Sequence, residues 1–108
     1  MAVQSYRQLI AWQKAMDLPK RFIASRSFPK EELYGITSRL RRAVISIPSN
    51  IAEGQGRQST GEFRQFLGNA RGSLLEVESQ LLLAQRFQYL TGEAAEILLA
   101  KSAEVGRS

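Results

Sequence analysis

Six arginines are the residues of this chain whose type and spacing could do chemistry. They are Arg39, Arg41, Arg42, Arg57, Arg64 and Arg71. Arg64 and Arg71 are seven residues apart, so they share one face of a helix, and Arg57 lies just before that helix. Guanidinium groups match the geometry of phosphates, so arginines that converge in a helical hairpin would contact a nucleic-acid backbone. The same side chains could instead pair with neighbouring carboxylates such as Glu53 and Glu62.

The distribution of charge agrees with an anionic partner. The net charge is +5 over 108 residues. Residues 1–71 carry twelve Lys and Arg against five Asp and Glu, whereas residues 72–108 carry three against five. A basic first two thirds favours binding to an anionic surface, although basic residues that only keep a small protein soluble give the same balance.

The sequence lacks the residues that most enzymes and metal sites depend on. The chain has no histidine and no cysteine, which removes the commonest general base, the thiol nucleophile and the main transition-metal ligands. The Gly54-Gln55-Gly56 segment lacks the third glycine and the lysine of a phosphate-binding loop. We therefore predict a protein that is not an enzyme and has no cofactor and no metal site. Without a membrane-length apolar run or a signal-peptide pattern, we also predict a cytoplasmic protein that does not enter a membrane.

The hydrophobic pattern predicts the elements that position the arginines. It indicates four helices with short connections and no strand, so we predict an all-α fold, an up-and-down antiparallel four-helix bundle, as a single domain over residues 1–108. The first helix is expected from Ser5 to Ser25, buried along Leu9, Trp12, Met16 and Ile23 and bent or divided at Pro19. The second is expected from Pro29 to Glu53, the third after a capping box of Ser59 and Glu62, and a short fourth after Thr91.

The segment 39–57 organises the second helix. Pro48 lies inside its apolar pattern, so we predict a kink there without an end to the helix. Asn50 and Glu53 lie one turn apart beside the kink, and at least one should bond a backbone group freed by the proline or cap a neighbouring helix. Gly54 and Gly56 are expected to stop the helix.

The third helix has more apolar residues than a single stripe packed against the bundle core, here called a seam, would require. Its main seam is expected along Phe63, Leu67, Ala70, Leu74, Val77, Leu81, Ala84 and Gln88. The additional Leu75, Leu82 and Leu83 predict burial against another subunit. Gly61, Gly68 and Gly72 each cost the helix up to about 1 kcal/mol relative to alanine, so we expect a close neighbour on their side.

Five blocks of sequence carry a resemblance to a known family. They are residues 11–15, 28–32, 40–43, 46–54 and 72–76, of which Ser-Ile-Pro-Ser-Asn-Ile-Ala-Glu-Gly is the specific one. They resemble the bacterial four-helix bundle proteins encoded in intervening sequences of 23S ribosomal RNA genes, in matching order over nearly the whole chain. The resemblance implies a homopentamer, a ring of five. It also implies kinship with the accessory variability protein of diversity-generating retroelements, thought to bind nucleic acid and a reverse transcriptase through a basic surface.

Two functions follow as hypotheses. The first is a non-catalytic module that binds nucleic acid, with RNA or an RNA–protein complex favoured. The alternative is a structural oligomer that scaffolds a partner protein without nucleic acid. The salt dependence of binding separates the two.

Overall fold

A computed structural model describes residues 6–23, 30–32 and 35–107 of the chain. Four α-helices make up the fold: α1 (Ile10–Ile23), α2 (Ile36–Gln55), α3 (Thr60–Arg86) and α4 (Gly92–Gly106). Short 3-10 turns at Tyr6–Gln8 and Lys30–Glu32 precede α1 and α2. The described residues contain no strand. The predicted all-α four-helix bundle is confirmed.

Each helix packs against two others in an up-and-down arrangement. α2 contacts α1 and α3, and α4 contacts α3 and α1, so α1 and α3 lie diagonally across the bundle. The core between them is almost wholly aliphatic. Its buried side chains are Ala15, Leu18, Ile36, Leu40, Ala43, Val44, Ile47, Ile51, Ala70, Leu74, Val77, Leu81, Ala84, Leu90, Ala95, Leu98 and Val105.

The predicted residues cap the starts of α3 and α4, but the Glu62 carboxylate accepts from the Ser59 hydroxyl and not, as expected of a capping box, from a backbone amide. The Ser59 hydroxyl accepts a hydrogen bond from the Glu62 backbone amide at 3.1 Å and donates to the Glu62 carboxylate at 3.0 Å. The Thr91 hydroxyl accepts from the Ala94 amide at 3.1 Å. Each cap satisfies a donor that the first turn of a helix leaves unpaired.

The buried face of α1 differs from the predicted one. Ala15 and Leu18 are buried, while Met16 is 49% exposed. Leu9 and Trp12 are partly buried, as expected, but the most buried positions of α1 are Ala15 and Leu18, so the buried stripe is rotated away from Met16. Pro19 lies inside the helix and does not divide it. The Ile23 side chain lies outside the described residues.

α2 is shorter at its start than predicted. It begins at Ile36, after Gly35, whose backbone is not helical at φ −105° and ψ −116°. Lys30–Glu32 form a separate 3-10 turn, and Pro29 lies outside the described residues. The two glutamates of this turn therefore do not belong to the first turn of α2, as the sequence suggested.

The main seam of α3 is confirmed at its centre and wrong at Leu67 and Gln88, while its first residue, Phe63, is half-buried beside Gly54 of α2. Ala70, Leu74, Val77, Leu81 and Ala84 are buried. Leu67 is exposed because α4 ends before it reaches this residue. The last residue of α4, Gly106, lies beside Leu74, since a methyl group on Gly106 would stand 3.0 Å from Leu74 Cδ2. Gln88 lies beyond the helix, in a turn with positive φ.

Candidate nucleic-acid interface

α2 continues through Pro48, as predicted, and a polar network on its α3 side accompanies the proline. The Asn50 amide donates to the Ser46 carbonyl at 2.8 Å and to the Ser46 hydroxyl at 2.9 Å. Ser46 in turn shares a 2.8 Å hydrogen bond with Ser73 of α3. The carbonyl that Pro48 leaves without its helical donor is that of Val44, so Asn50 bonds a different backbone group from the expected one. Its contribution is to hold Ser46 against α3.

Gly54 does not stop α2, which corrects the sequence prediction. The helix passes through Gly54 and ends at Gln55, with Gly56 as the capping residue. A Cβ atom on Gly54 would lie 2.9 Å from Phe66 Cβ and 3.1 Å from Phe63 Cδ1. Glycine is required here because α2 and α3 approach each other too closely for any side chain.

Arg57 has partners within the chain at the α2–α3 turn. Its guanidinium group lies 3.1 Å from the Glu53 carboxylate and 4.6 Å from the centre of the Phe66 ring. Glu53 is therefore engaged with Arg57 rather than with a backbone group near Pro48. An arginine held by a carboxylate and an aromatic face is a weaker candidate for a phosphate contact than a free one.

The other five predicted arginines are exposed and have no ion-pair partner in the part of the chain that the structure describes. Arg39, Arg41 and Arg42 lie on the outer side of α2, and Arg64 and Arg71 lie on α3. These guanidinium groups keep all their donors for an anionic ligand.

The register of α2 against α3 separates Arg42 from Arg64 along the bundle. The Ser46–Ser73 contact sets the register of α2 against α3. Arg42 lies four residues before Ser46, and Arg64 lies nine residues before Ser73 on the antiparallel helix. At 1.5 Å per residue, these two arginines are about 20 Å apart along the bundle axis. Arg42 and Arg64 therefore do not meet, and a long anionic backbone fits the spacing of this pair better than a compact anion.

Ile45 is a surface residue that the sequence analysis missed. It is 59% exposed, and it lies one turn from both Arg41 and Arg42. The pattern of Leu40, Val44 and Ile47 already fills the buried stripe of α2 and leaves Ile45 outside it. An apolar residue outside the buried stripe was the sequence signal that could have identified Ile45 as a surface residue.

The described residues offer little else for chemistry. They contain no group of three metal-binding side chains and no helix long and apolar enough to cross a membrane. A groove of about 230 Å³ between α1 and α4 is lined by Lys14, Asp17, Leu18, Lys101 and Glu104. In it, the Glu104 carboxylate lies 3.7 Å from Lys14 and 3.9 Å from Lys101, so its charges largely compensate one another.

Comparison with a family model identifies the family, and comparison with a solved structure supports the fold. The family model described as 23S rRNA-intervening sequence protein matches residues 7–108. The chain is similar to the crystal structure of a protein of unknown function from the S23 ribosomal protein family of Bacteroides thetaiotaomicron VPI-5482. That similarity has a TM-score of 0.81 at 23% identity and covers 91% of this chain and 93% of the other. A search of the curated proteins finds no match.

Proposed function

The chain belongs to the 23S rRNA-intervening sequence protein family, and from this premise we propose that it is a non-catalytic nucleic-acid-binding protein that acts on RNA or an RNA–protein complex. The observation that carries the proposal is the set of five exposed arginines without a partner among the described residues. An unpaired arginine gives up no internal contact when it binds a phosphate, so its whole interaction adds to affinity.

Arg41 and Arg42 are the centre of the proposed interface. They are adjacent in sequence, they flank exposed Ile45, and the nearest carboxylate along α2, that of Glu53, is held by Arg57. Phosphate contacts supply affinity without reading sequence, and an exposed aliphatic side chain adds contact with sugar or base surfaces. Arg64 and Arg71 extend the interface along α3.

Self-association is the second part of the proposal. The family resemblance implies a homopentamer and a reverse transcriptase as a further partner, in the cytoplasm. Joining several copies would place many arginines on one nucleic acid and strengthen binding through effective concentration without any new contact. Exposed apolar side chains such as Ile10, Met16 and Leu83 support the presence of subunit contacts.

A scaffold that binds a partner protein without nucleic acid is the competing function. The exposed Ile97 and Phe87 side chains favour it, because apolar surface is typical of protein contacts and contributes little to phosphate binding.

Fluorescence anisotropy with short labelled RNAs tests the proposal. We expect unrelated sequences to bind with similar affinity at low salt and to dissociate steeply as salt is added. Absence of binding at low salt, or binding that salt does not weaken, would reject the nucleic-acid function and leave the scaffold.

A further inference from the structure

The exposed face of α2 has a central line of uncharged side chains, which we call the outer midline. Its members are Ser38, Ile45 and Ser49, at steps of seven and four residues. These steps place all three on one line of a helix, opposite the buried stripe that contains Leu40 and Ile47. Ile45 and Ser49 are exposed, and Ser38 is partly exposed. The outer midline therefore faces away from the bundle core.

Arginines flank the outer midline on both sides. Arg41 and Arg42 each lie one turn before Ile45, and neighbouring residues of a helix point about 100° apart. The two side chains therefore leave the helix on opposite sides of Ile45. Arg39 lies three residues before Arg42 and adds a second guanidinium group on that side. Residues 36–52 of α2 contain these three arginines and no acidic residue, so both sides of the midline are purely cationic.

Positive charge on two sides of a line matches a duplex better than a single strand. A single strand has one phosphate backbone, which can follow only one side of the midline at a time. The two backbones of a duplex border a groove on both sides, so each can meet its own arginines. Proteins that bind single strands also stack bases on aromatic side chains, whereas α2 contains no aromatic residue. The face of α2 therefore favours a double-stranded ligand.

The serine hydroxyl groups of the midline favour RNA over DNA. The minor groove of A-form RNA is wide and shallow and displays ribose 2′-hydroxyl groups, which DNA lacks. The Ser49 hydroxyl donates to the Ile45 carbonyl at 3.0 Å, and its oxygen can still accept a hydrogen bond from a 2′-hydroxyl group. Ser38 lies roughly 16 Å away along the helix axis, at 1.5 Å per residue, and can contact a second ribose.

We propose that the outer midline of α2 docks in the minor groove of an A-form RNA duplex, with Arg41 and Arg42 on the phosphates of opposite strands. Arg39 extends the contact on the side of Arg42, the serines contact ribose 2′-hydroxyl groups, and Ile45 packs on the sugars between them. The inference rests on the proposed nucleic-acid binding and adds the class of ligand, double-stranded RNA. Because all these contacts go to sugars and phosphates, binding should not depend on base sequence.

Anisotropy titrations with three probes of one sequence test the class of ligand. The probes are an RNA duplex of about 20 base pairs, one of its single strands and the corresponding DNA duplex. At one salt concentration we expect the RNA duplex to bind about tenfold or more tightly than the single strand, which engages arginines on one side only. Single-strand binding that is equal or tighter would overturn the inference and leave the proposed nucleic-acid function standing. No binding of any probe at low salt would reject both.

Ser49→Ala tests the contact with the 2′-hydroxyl group. It should lower the ratio of RNA-duplex to DNA-duplex affinity by about threefold to tenfold, the loss expected of one hydrogen bond. Ser79→Ala, at an exposed serine of α3 outside the proposed contact, is the matched control and should leave this ratio unchanged. Equal ratios for the two variants would contradict the contact, as would a wild-type protein that binds both duplexes with the same affinity.

Arg41→Ala and Arg42→Ala test whether the arginines meet two strands. Each change removes a contact with one strand of the duplex, so each should reduce the preference for the RNA duplex over the single strand. Circular dichroism must show that both variants keep the helical content of the wild-type protein. Variants that weaken duplex and single-strand binding by the same factor would show that both arginines contact one strand, and the proposal would fail.

Discussion

Gly54 on α2 lies so close to Phe66 on α3 that a methyl group at position 54 would stand 2.9 Å from the Phe66 Cβ atom. This approach joins the two helices at the end of the bundle where they turn into each other. About 12 Å further along, at a rise of 1.5 Å per residue, the Ser46–Ser73 hydrogen bond joins them again. The two contacts fix the register of α2 and α3, and with it the positions of all six arginines.

Gly54→Ala should destabilise the protein by about 1–3 kcal/mol, because the new methyl group overpacks the interface against Phe66 and Phe63. Urea unfolding followed by circular dichroism measures the effect. Gly61→Ala is the matched control at a site where nothing lies within 4 Å, and it should be neutral or raise stability by up to about 1 kcal/mol. Equal effects of the two changes would show that the close approach is absent.

The Ser46–Ser73 hydrogen bond should appear as a coupling between α2 and α3. We expect Ser46→Ala and Ser73→Ala each to lower the free energy of unfolding by about 1 kcal/mol, and the double variant to lower it by clearly less than the sum. Additive effects in this double-mutant cycle would mean that the two hydroxyl groups do not interact.

Loss of the Ser59 cap should destabilise the start of α3. Ser59→Ala removes the acceptor for the Glu62 amide and should cost about 0.5–2 kcal/mol, whereas Ser59→Asp should keep most of the stability. Thermal unfolding of both variants provides the comparison. An alanine variant as stable as the aspartate variant would contradict the capping role.

Local chemistry made much of the fold predictable. Ser59 with Glu62, and Thr91, mark helix starts by their own hydrogen bonds, and the four-three spacing of Ala70, Leu74 and Val77 leaves one face for the core. Such signals depend on residues a few positions apart. Features that depend on distant parts of the chain were not predictable in this way. Ala15 and Met16 are adjacent residues of α1, and the packing of α2 and α4 against α1 decides which of the two side chains is buried.

The candidate site was predictable in its residues but not in its geometry. The sequence identifies the arginines, yet whether Arg42 and Arg64 meet depends on the register set by Gly54 and by Ser46 with Ser73. The same limit explains the error at Gly54, since a glycine near a helix end either stops the helix or admits a neighbour, and sequence spacing is compatible with both.

Arg57 should contribute less to nucleic-acid binding than its charge suggests. Because it already contacts Glu53 and Phe66, we expect Arg57→Ala to change RNA affinity less than Arg42→Ala. The second change removes the same charge from a side chain with no ion-pair partner among the described residues. Anisotropy titrations of the two variants at one salt concentration compare them directly. A larger effect of Arg57→Ala would place the turn between α2 and α3 at the centre of the interface.

The salt dependence of RNA binding by the double variant Arg41→Ala/Arg42→Ala tests the central claim most directly. If both guanidinium groups contact phosphates, the slope of log K against log salt should become shallower by roughly 0.7 to 0.9 for each phosphate that the variant no longer neutralises. The affinity for unrelated RNAs should also fall, and by the same factor for each RNA. Circular dichroism must show that the variant keeps the helical content of the wild-type protein. A folded double variant with unchanged slope and affinity would contradict the account.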